Sequence, residues 1–199
     1  MSQQLGVFCG TFNPIHWGHL LMAEYGRLQL GLTKVLFITS PNPPHRHFDI
    51  LDAERRHELV SAAVAGNPHY QASRAELERG GTSYTIDTLR SLREQFPDSG
   101  LDLIIGEDNL QYIGKWKQAA EIFRLCRIVV APRSKQIIKP TDPQEPATVP
   151  SHARVIRLDL PHVNVSSSEI RRRLREGKSV NYLVPAAVAG LLKEKRLYL

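Results

Sequence analysis

Cysteine is scarce in this 199-residue sequence: only Cys9 and Cys126 occur, so neither a disulfide framework nor a cysteine-based zinc site is available. A reducing compartment fits that usage. Long apolar runs are also missing. None approaches the ~20 residues that span a bilayer, and Met1 to Leu5 lacks a cationic flank leading into an apolar segment. The expectation is a soluble cytoplasmic protein without membrane contact. No repeat with a period of ~20 to 50 residues is present, which excludes solenoids and propellers. With 42% hydrophobic and 23% charged residues, the composition is that of an ordinary globular chain, and the length suits one well-cored domain over residues 1–199.

What is present is a basic excess. Lys and Arg number 26 against 20 Asp and Glu, giving +6 with His neutral, which invites a polyanionic ligand. The positive charges are scattered except at Arg171, Arg172, Arg173 and Arg175, where Glu169 and Glu176 bracket the cluster.

Short continuous apolar runs alternate with amphipathic stretches. Leu5 to Cys9, Val35 to Ile38, Leu103 to Ile105, Ile128 to Ala131 and Val155 to Leu158 read as strands. Trp17 to Leu30, about Asp52 to Ala65 and about Tyr84 to Phe96 read as helices, and Val184, Val188, Leu191 and Leu192 mark a final one. Gly31 is placed to end the first helix in a left-handed conformation. Uninterrupted apolar strands between helices predict an α/β fold, a Rossmann-like open parallel sheet with helices on both faces. Residues 133–152, with Pro140, Pro143, Pro146 and Pro150 among polar neighbours, read as a long surface loop.

The segment Gly10-Thr11-Phe12-Asn13-Pro14-Ile15-His16-Trp17-Gly18-His19 joins the first strand to the first helix, where open parallel sheets bind ligands. Gly10 would let backbone N–H groups approach an anion, and Gly18 would remove a side chain from the helix start. His16 and His19, three apart, share a face and can both donate to phosphate oxygens. Capping or core packing is the bland alternative, and a zinc pair lacks further ligands at metal-motif offsets. Near the other end, Ser166 and Glu169 have capping-box spacing at the start of a basic helix. Hydroxyls and N–H groups near Ser167 and Ser168 could also bind phosphate there, with Arg171 gripping a second one.

Together, Gly10 to His19 and Ser166-Ser167-Ser168-Glu169-Ile170-Arg171 resemble the nucleotidyltransferase superfamily with its HxGH and ISSTxxR signatures. More narrowly, the chain resembles the bacterial nicotinate-nucleotide adenylyltransferases. Pro43-Pro44-His45-Arg46, Ser83 to Leu89, Ile105-Gly106-Glu107-Asp108 and Trp116-Lys117 follow that family's order from end to end. Three positions depart from the pattern: Cys9 replaces the first glycine of GGTF, Asn13 a common Asp, and Arg46 an expected Lys.

The resemblance implies that ATP and nicotinate mononucleotide react to deamido-NAD and pyrophosphate, with Mg²⁺. It makes His16, His19 and Arg171 the catalytic residues. The ATP side would comprise Gly10, Thr11, Phe12, His16, Gly18, His19, Gly106, Asp108, Arg133, Ser167, Ser168 and Arg171. The acceptor side would comprise Arg46, Tyr84, Thr85 and Trp116, with Trp116 stacking on the pyridine ring or simply packing in the core. Asn13 cannot be an anionic metal ligand, and the metal's ligands stay open. Rival readings are a small transferase acting on phosphopantetheine or nicotinamide mononucleotide, and a basic nucleic-acid-binding module using the arginine cluster. The oligomeric state is open.

Overall fold

A computed structural model describes residues 3–43, 49–132 and 149–199. In chain order the elements are β1 (Gln4–Gly10), α1 (Trp17–Leu30), β2 (Lys34–Thr39), α2 (Ala53–Val64), β3 (Tyr70–Ser73), α3 (Ala75–Arg79) and α4 (Thr85–Gln95). Then come β4 (Gly100–Gly106), α5 (Glu107–Leu110), a 3₁₀ turn (Ile113–Lys115), α6 (Ala119–Leu125), β5 (Arg127–Ala131), β6 (Val155–Arg157), α7 (Ser167–Arg175) and α8 (Ala186–Glu194). The strands form one six-stranded sheet, ordered β3-β2-β1-β4-β5-β6, with every neighbouring pair parallel.

The apolar runs are continuous because both faces of the sheet are covered. Phe8, Val35, Phe37, Ile104 and Val129 pack on one face with Leu20 of α1, Leu59 of α2, Ile170 of α7 and Val188 of α8. Their neighbours Val7, Leu36, Ile38, Leu103, Ile105 and Ile128 pack on the other with Ile86 and Leu89 of α4 and Ile122 of α6. Gly31 ends α1 in the left-handed region at φ 62°. Among the described residues no helix is long and apolar enough to cross a membrane.

The sheet has one strand beyond those expected. β3 was not expected: Tyr-Gln-Ala-Ser at a sheet edge is only partly buried and carries no apolar run. The expected loop over 133–152 falls outside the described residues except at 149–152, where the backbone is irregular with a turn.

Toward the amino ends of the strands, fully buried Asp102 receives a two-point ion pair from Arg127, Nε to Oδ1 at 2.6 Å and Nη2 to Oδ2 at 2.7 Å. Removing one member of a buried pair strands the other, typically at about 3 to 5 kcal/mol. Arg127 is 29% exposed and can recover water. Asp102→Ala is therefore expected to cost about 2 to 3 kcal/mol, measured by urea unfolding.

Candidate active site

In the strand order, β1 is flanked by β2 on one side and β4 on the other, so a crevice opens at their carboxyl ends. The chain leaves β1 at Gly10 and enters α1 after His16. Phe12, at φ 44°, turns its ring back into the core, edge-on to Phe8 at 5.4 Å. A Cβ at Gly10 would stand 2.9 Å from the Phe12 ring. Gly10 is thus explained by room for Phe12, rather than by a bare approach to an anion. The Phe12 side chain is buried, which leaves only its backbone for any ligand.

His16 is the N-cap of α1, and its ring stacks on that of His19 with centroids 3.8 Å apart and planes 23° from parallel. The His16 backbone N–H donates to His19 Nδ1 at 3.3 Å. A neutral His19 therefore carries its proton on Nε2, where it can donate. A Cβ at Gly18 would lie 3.0 Å from two atoms of the His16 ring and 3.6 Å from the Val165 carbonyl oxygen. Gly18 keeps the imidazole in place and lets the segment before α7 come close. Among the described residues, no group of three or more His, Cys, Asp or Glu side chains could hold a metal.

The start of α7 is tied to the same loop. Ser166 caps it by accepting from the Glu169 N–H at 3.2 Å. The Glu169 carboxylate turns to Arg172 and Arg173, so the expected capping box is half formed. Ser167 Oγ donates to the Pro14 carbonyl at 2.9 Å, which commits that hydroxyl's proton and leaves phosphate recognition to backbone N–H groups. Arg171 reaches inward, donating from Nη1 to the Asn13 carbonyl at 2.8 Å and from Nε to Asp49 Oδ2 at 3.0 Å. Arg171, and after it Arg175, hold the Asp49 carboxyl below its ordinary range. Arg172 pairs with Glu169 and Glu176, Arg173 with Glu169, and Arg175 with Asp49. Each of the four arginines is engaged in an ion pair, but they share the three carboxylates Asp49, Glu169 and Glu176, so the cluster is largely offset rather than a bare basic patch.

Asn13 turns out to be a structural junction. Its Nδ2 donates to the Asp49 carbonyl at 2.7 Å, and its Oδ1 accepts from the Leu51 N–H at 3.1 Å and from the Tyr198 hydroxyl at 2.8 Å. At the end of β1, burial and then Glu76 push the Cys9 thiol well above its ordinary range.

Beside this loop, a cavity of about 580 Å³ is lined by Pro41, Asn42, Leu51, Arg56, Thr82 and Tyr84, among others. Its two walls are stitched together: Asn42 Nδ2 donates to the Gly81 carbonyl at 3.1 Å, and the Ser83 N–H to the Asn42 carbonyl at 3.1 Å. Tyr84 is the N-cap of α4 and Thr85 its first residue. The Tyr84 N–H donates to the Thr82 carbonyl at 3.1 Å, so it is taken; the first-turn N–H groups of Thr85 and Ile86 are the ones an anion would meet. Lys117 Nζ lies 4.3 Å from the centroid of the Tyr84 ring and 3.1 Å from Asp87 Oδ2. Trp116 is half-buried against the core cluster of α4 and α6.

Gly106 closes β4 and caps α5, which puts half-buried Asp108 in the first turn of α5, at the end of the strand next to β1. Arg46 and Arg133 lie outside the described residues. Sequence reasoning missed Arg56, Asp49 and the junction role of Asn13. No local pattern marks them, because each acts through segments distant in the chain.

Comparison with known proteins agrees with this geometry. The cytidylyltransferase-like family model matches residues 7–173. A Thermus thermophilus protein named as a probable nicotinate-nucleotide adenylyltransferase is 41% identical over 195 residues, covering 98% of this chain and 99% of its own. A Geotalea daltonii protein of the same name is 40% identical over 211 residues, covering 98% of both. In fold, the chain is similar to Plasmodium falciparum nicotinic acid mononucleotide adenylyltransferase solved with NaAD. That likeness has a TM-score of 0.75 at 14% identity and covers 98% of this chain and 97% of that one. The chain belongs to the cytidylyltransferase-like family and, within it, to the nicotinate-nucleotide adenylyltransferases.

Proposed function

We propose that this protein transfers the adenylyl group of ATP to nicotinate mononucleotide, giving deamido-NAD and pyrophosphate in the cytoplasmic synthesis of NAD. The observation that carries the reading is convergence on one loop. The stacked His16–His19 pair at the start of α1, and Arg171 with the start of α7, both close on residues 13–16, beside a cavity that reaches the start of α4.

An acceptor phosphate oxygen attacks the α-phosphorus of ATP. A new P–O bond forms as the bond from the α-phosphorus to the bridging oxygen breaks, and pyrophosphate leaves with that electron pair. The attacking oxygen is already anionic, so the chain need supply neither a nucleophile nor a base. Its task is positioning and stabilisation of charge growing on the α-phosphoryl oxygens and the leaving group. His19 Nε2 supplies a donor whose tautomer is set by the His16 N–H. Arg171 supplies a fork that a polyphosphate would compete for against Asp49.

Mg²⁺ keeps most of its waters and is usually held by substrate phosphates with one or two carboxylates. Asp49 is committed to two arginines, Asn13 to three structural contacts, and no ligand cluster forms among the described residues. The described residues do not build a protein cage for the ion. No step is assigned to it beyond accompanying ATP.

For the acceptor, the first-turn N–H groups of Thr85 and Ile86 suit the nicotinate carboxylate, with the partial positive charge of a helix start behind them. An amide at that place offers a neutral oxygen and an NH₂ that cannot accept from these donors. The expected result is a kcat/KM for nicotinate mononucleotide about 10- to 100-fold above that for nicotinamide mononucleotide, as follows from leaving one or two donors unpaired. Steady-state kinetics with both acceptors checks this, and equal values would refute carboxylate recognition.

A further inference from the structure

Among the described residues Arg56 is the largest fully buried side chain, 1% exposed, yet its hydrogen bonds include none to a carboxylate. Its guanidinium donates only to carbonyl oxygens: Nε to Leu51 at 2.8 Å, Nη1 to Thr11 at 2.6 Å and to Ser40 at 2.8 Å, and Nη2 to Pro41 at 3.1 Å. Those bonds use four of its five N–H donors. Carbonyl dipoles solvate a guanidinium but do not cancel its charge. Burial lowers the Arg56 pKa from its ordinary value, and the nearby Asp52 carboxylate offsets this only in part. Arginine nevertheless stays protonated in proteins. Such a cation is costly unless something anionic completes it.

The place where the anion would sit is open. Arg56 lines the cavity of about 580 Å³ together with Tyr84, the cap of α4, and Asn42 and Leu51 from the loops it binds. Asp52, also on that wall, is already the N-cap of α2, accepting from the Glu54 and Arg55 N–H groups. The Thr11 carbonyl that Arg56 holds belongs to the loop carrying His16 and Asn13.

We infer that Arg56 is a specificity-determining positioning residue for the acceptor: its buried charge selects a phosphate-bearing mononucleotide, while its four carbonyl contacts hold the loops after β1 and β2 around it. The inference rests on the proposed adenylyl transfer and names which residue makes the acceptor site prefer a phosphorylated ligand. Because Arg56 also holds the Thr11 carbonyl of the loop that carries His16, ATP should feel its loss in part, and the mark of phosphate selection is a larger loss for the mononucleotide than for the riboside.

Arg56→Gln removes the charge and keeps some donors. With folding checked by a cooperative melt, binding of nicotinate mononucleotide, nicotinic acid riboside and ATP is measured by calorimetry on wild type and variant. The mononucleotide is expected to weaken about 10- to 100-fold, the riboside by less than about threefold, and ATP by clearly less than the mononucleotide. Equal losses for mononucleotide and riboside, or an equal loss for ATP, would overturn the assignment and make Arg56 a general structural clamp. If Arg56→Gln does not fold, Arg56→Lys carries the test. It keeps the charge but not the four-bond fork, so it is read by selectivity: binding of the mononucleotide should still exceed that of the riboside by about as much as in wild type, and loss of that preference contradicts the proposal. Wild-type turnover of the mononucleotide is scored separately. A wild type that fails to turn it over refutes the proposed reaction, whereas turnover with an unselective Arg56→Gln refutes only this inference.

Discussion

His19→Ala is expected to lower kcat by ~10²- to 10³-fold, the loss typical when one preorganised donor to a transition-state oxyanion is removed. His19 should act chiefly on kcat, because charge on the α-phosphoryl oxygens grows as the reaction proceeds and a donor aimed there gains strength in the transition state. Its Nδ1 is occupied by the His16 N–H, which leaves Nε2 as the donor and makes Gln a partial replacement and Ala none. His16 differs in kind: it is 6% exposed, caps α1 and supports the His19 ring by stacking. His16→Ala should therefore lower kcat and shift the melting temperature, and His19→Ala, which removes the acceptor of the His16 N–H, should lower the melt as well while acting chiefly on kcat. A folded His19→Ala with near-wild-type turnover would show that the ring only packs against Phe12 and His16.

The second large effect is expected at Arg171. Its side chain is only 14% exposed and points at the Asn13 carbonyl and Asp49, on the loop that carries the histidines. Arg172 and Arg173 are rotated by ~100° per residue from that direction and sit in exposed pairs with Glu169 and Glu176. Such pairs are worth about 0 to 1 kcal/mol. Arg171→Ala should raise KM for ATP and lower kcat, with kcat/KM for ATP down by ~10²-fold or more. Arg172→Ala and Arg173→Ala should stay within about twofold. Steady-state kinetics on the three variants checks the pattern, and equal losses at all three would indicate a diffuse electrostatic patch and restore the polyanion-binding alternative.

Much of this was legible because the sheet advertises itself. Strands covered on both faces must be apolar throughout, so β1, β2, β4 and β5 stand out in the sequence, and α1 and α4 carry helical spacing and clear ends. Edge strand β3 and the short helices α3, α5 and α6 do not, because half-buried four- to seven-residue pieces leave no periodic signal. At the site, the register of Arg171 against its neighbours could be read from helix geometry. The reasons for Gly10 and Gly18 could not. Their spacing in the sequence suggests openings for a ligand, whereas in the fold they make room for the rings of Phe12 and His16. Asn13, Asp49 and Arg56 matter mostly through bonds to distant segments, up to 185 positions away, which no local pattern encodes. The pairing of Arg171 and Arg175 with one carboxylate belongs to the same class.

The reaction itself is tested most directly by pyrophosphate release from purified wild-type protein with ATP and Mg²⁺, offered nicotinate mononucleotide, nicotinamide mononucleotide or phosphopantetheine in turn, with products identified by mass spectrometry. The account predicts rapid pyrophosphate release with nicotinate mononucleotide, matched one for one by deamido-NAD, and much slower release with the other two acceptors. Preferred turnover of phosphopantetheine, or no deamido-NAD from a folded protein, would contradict it.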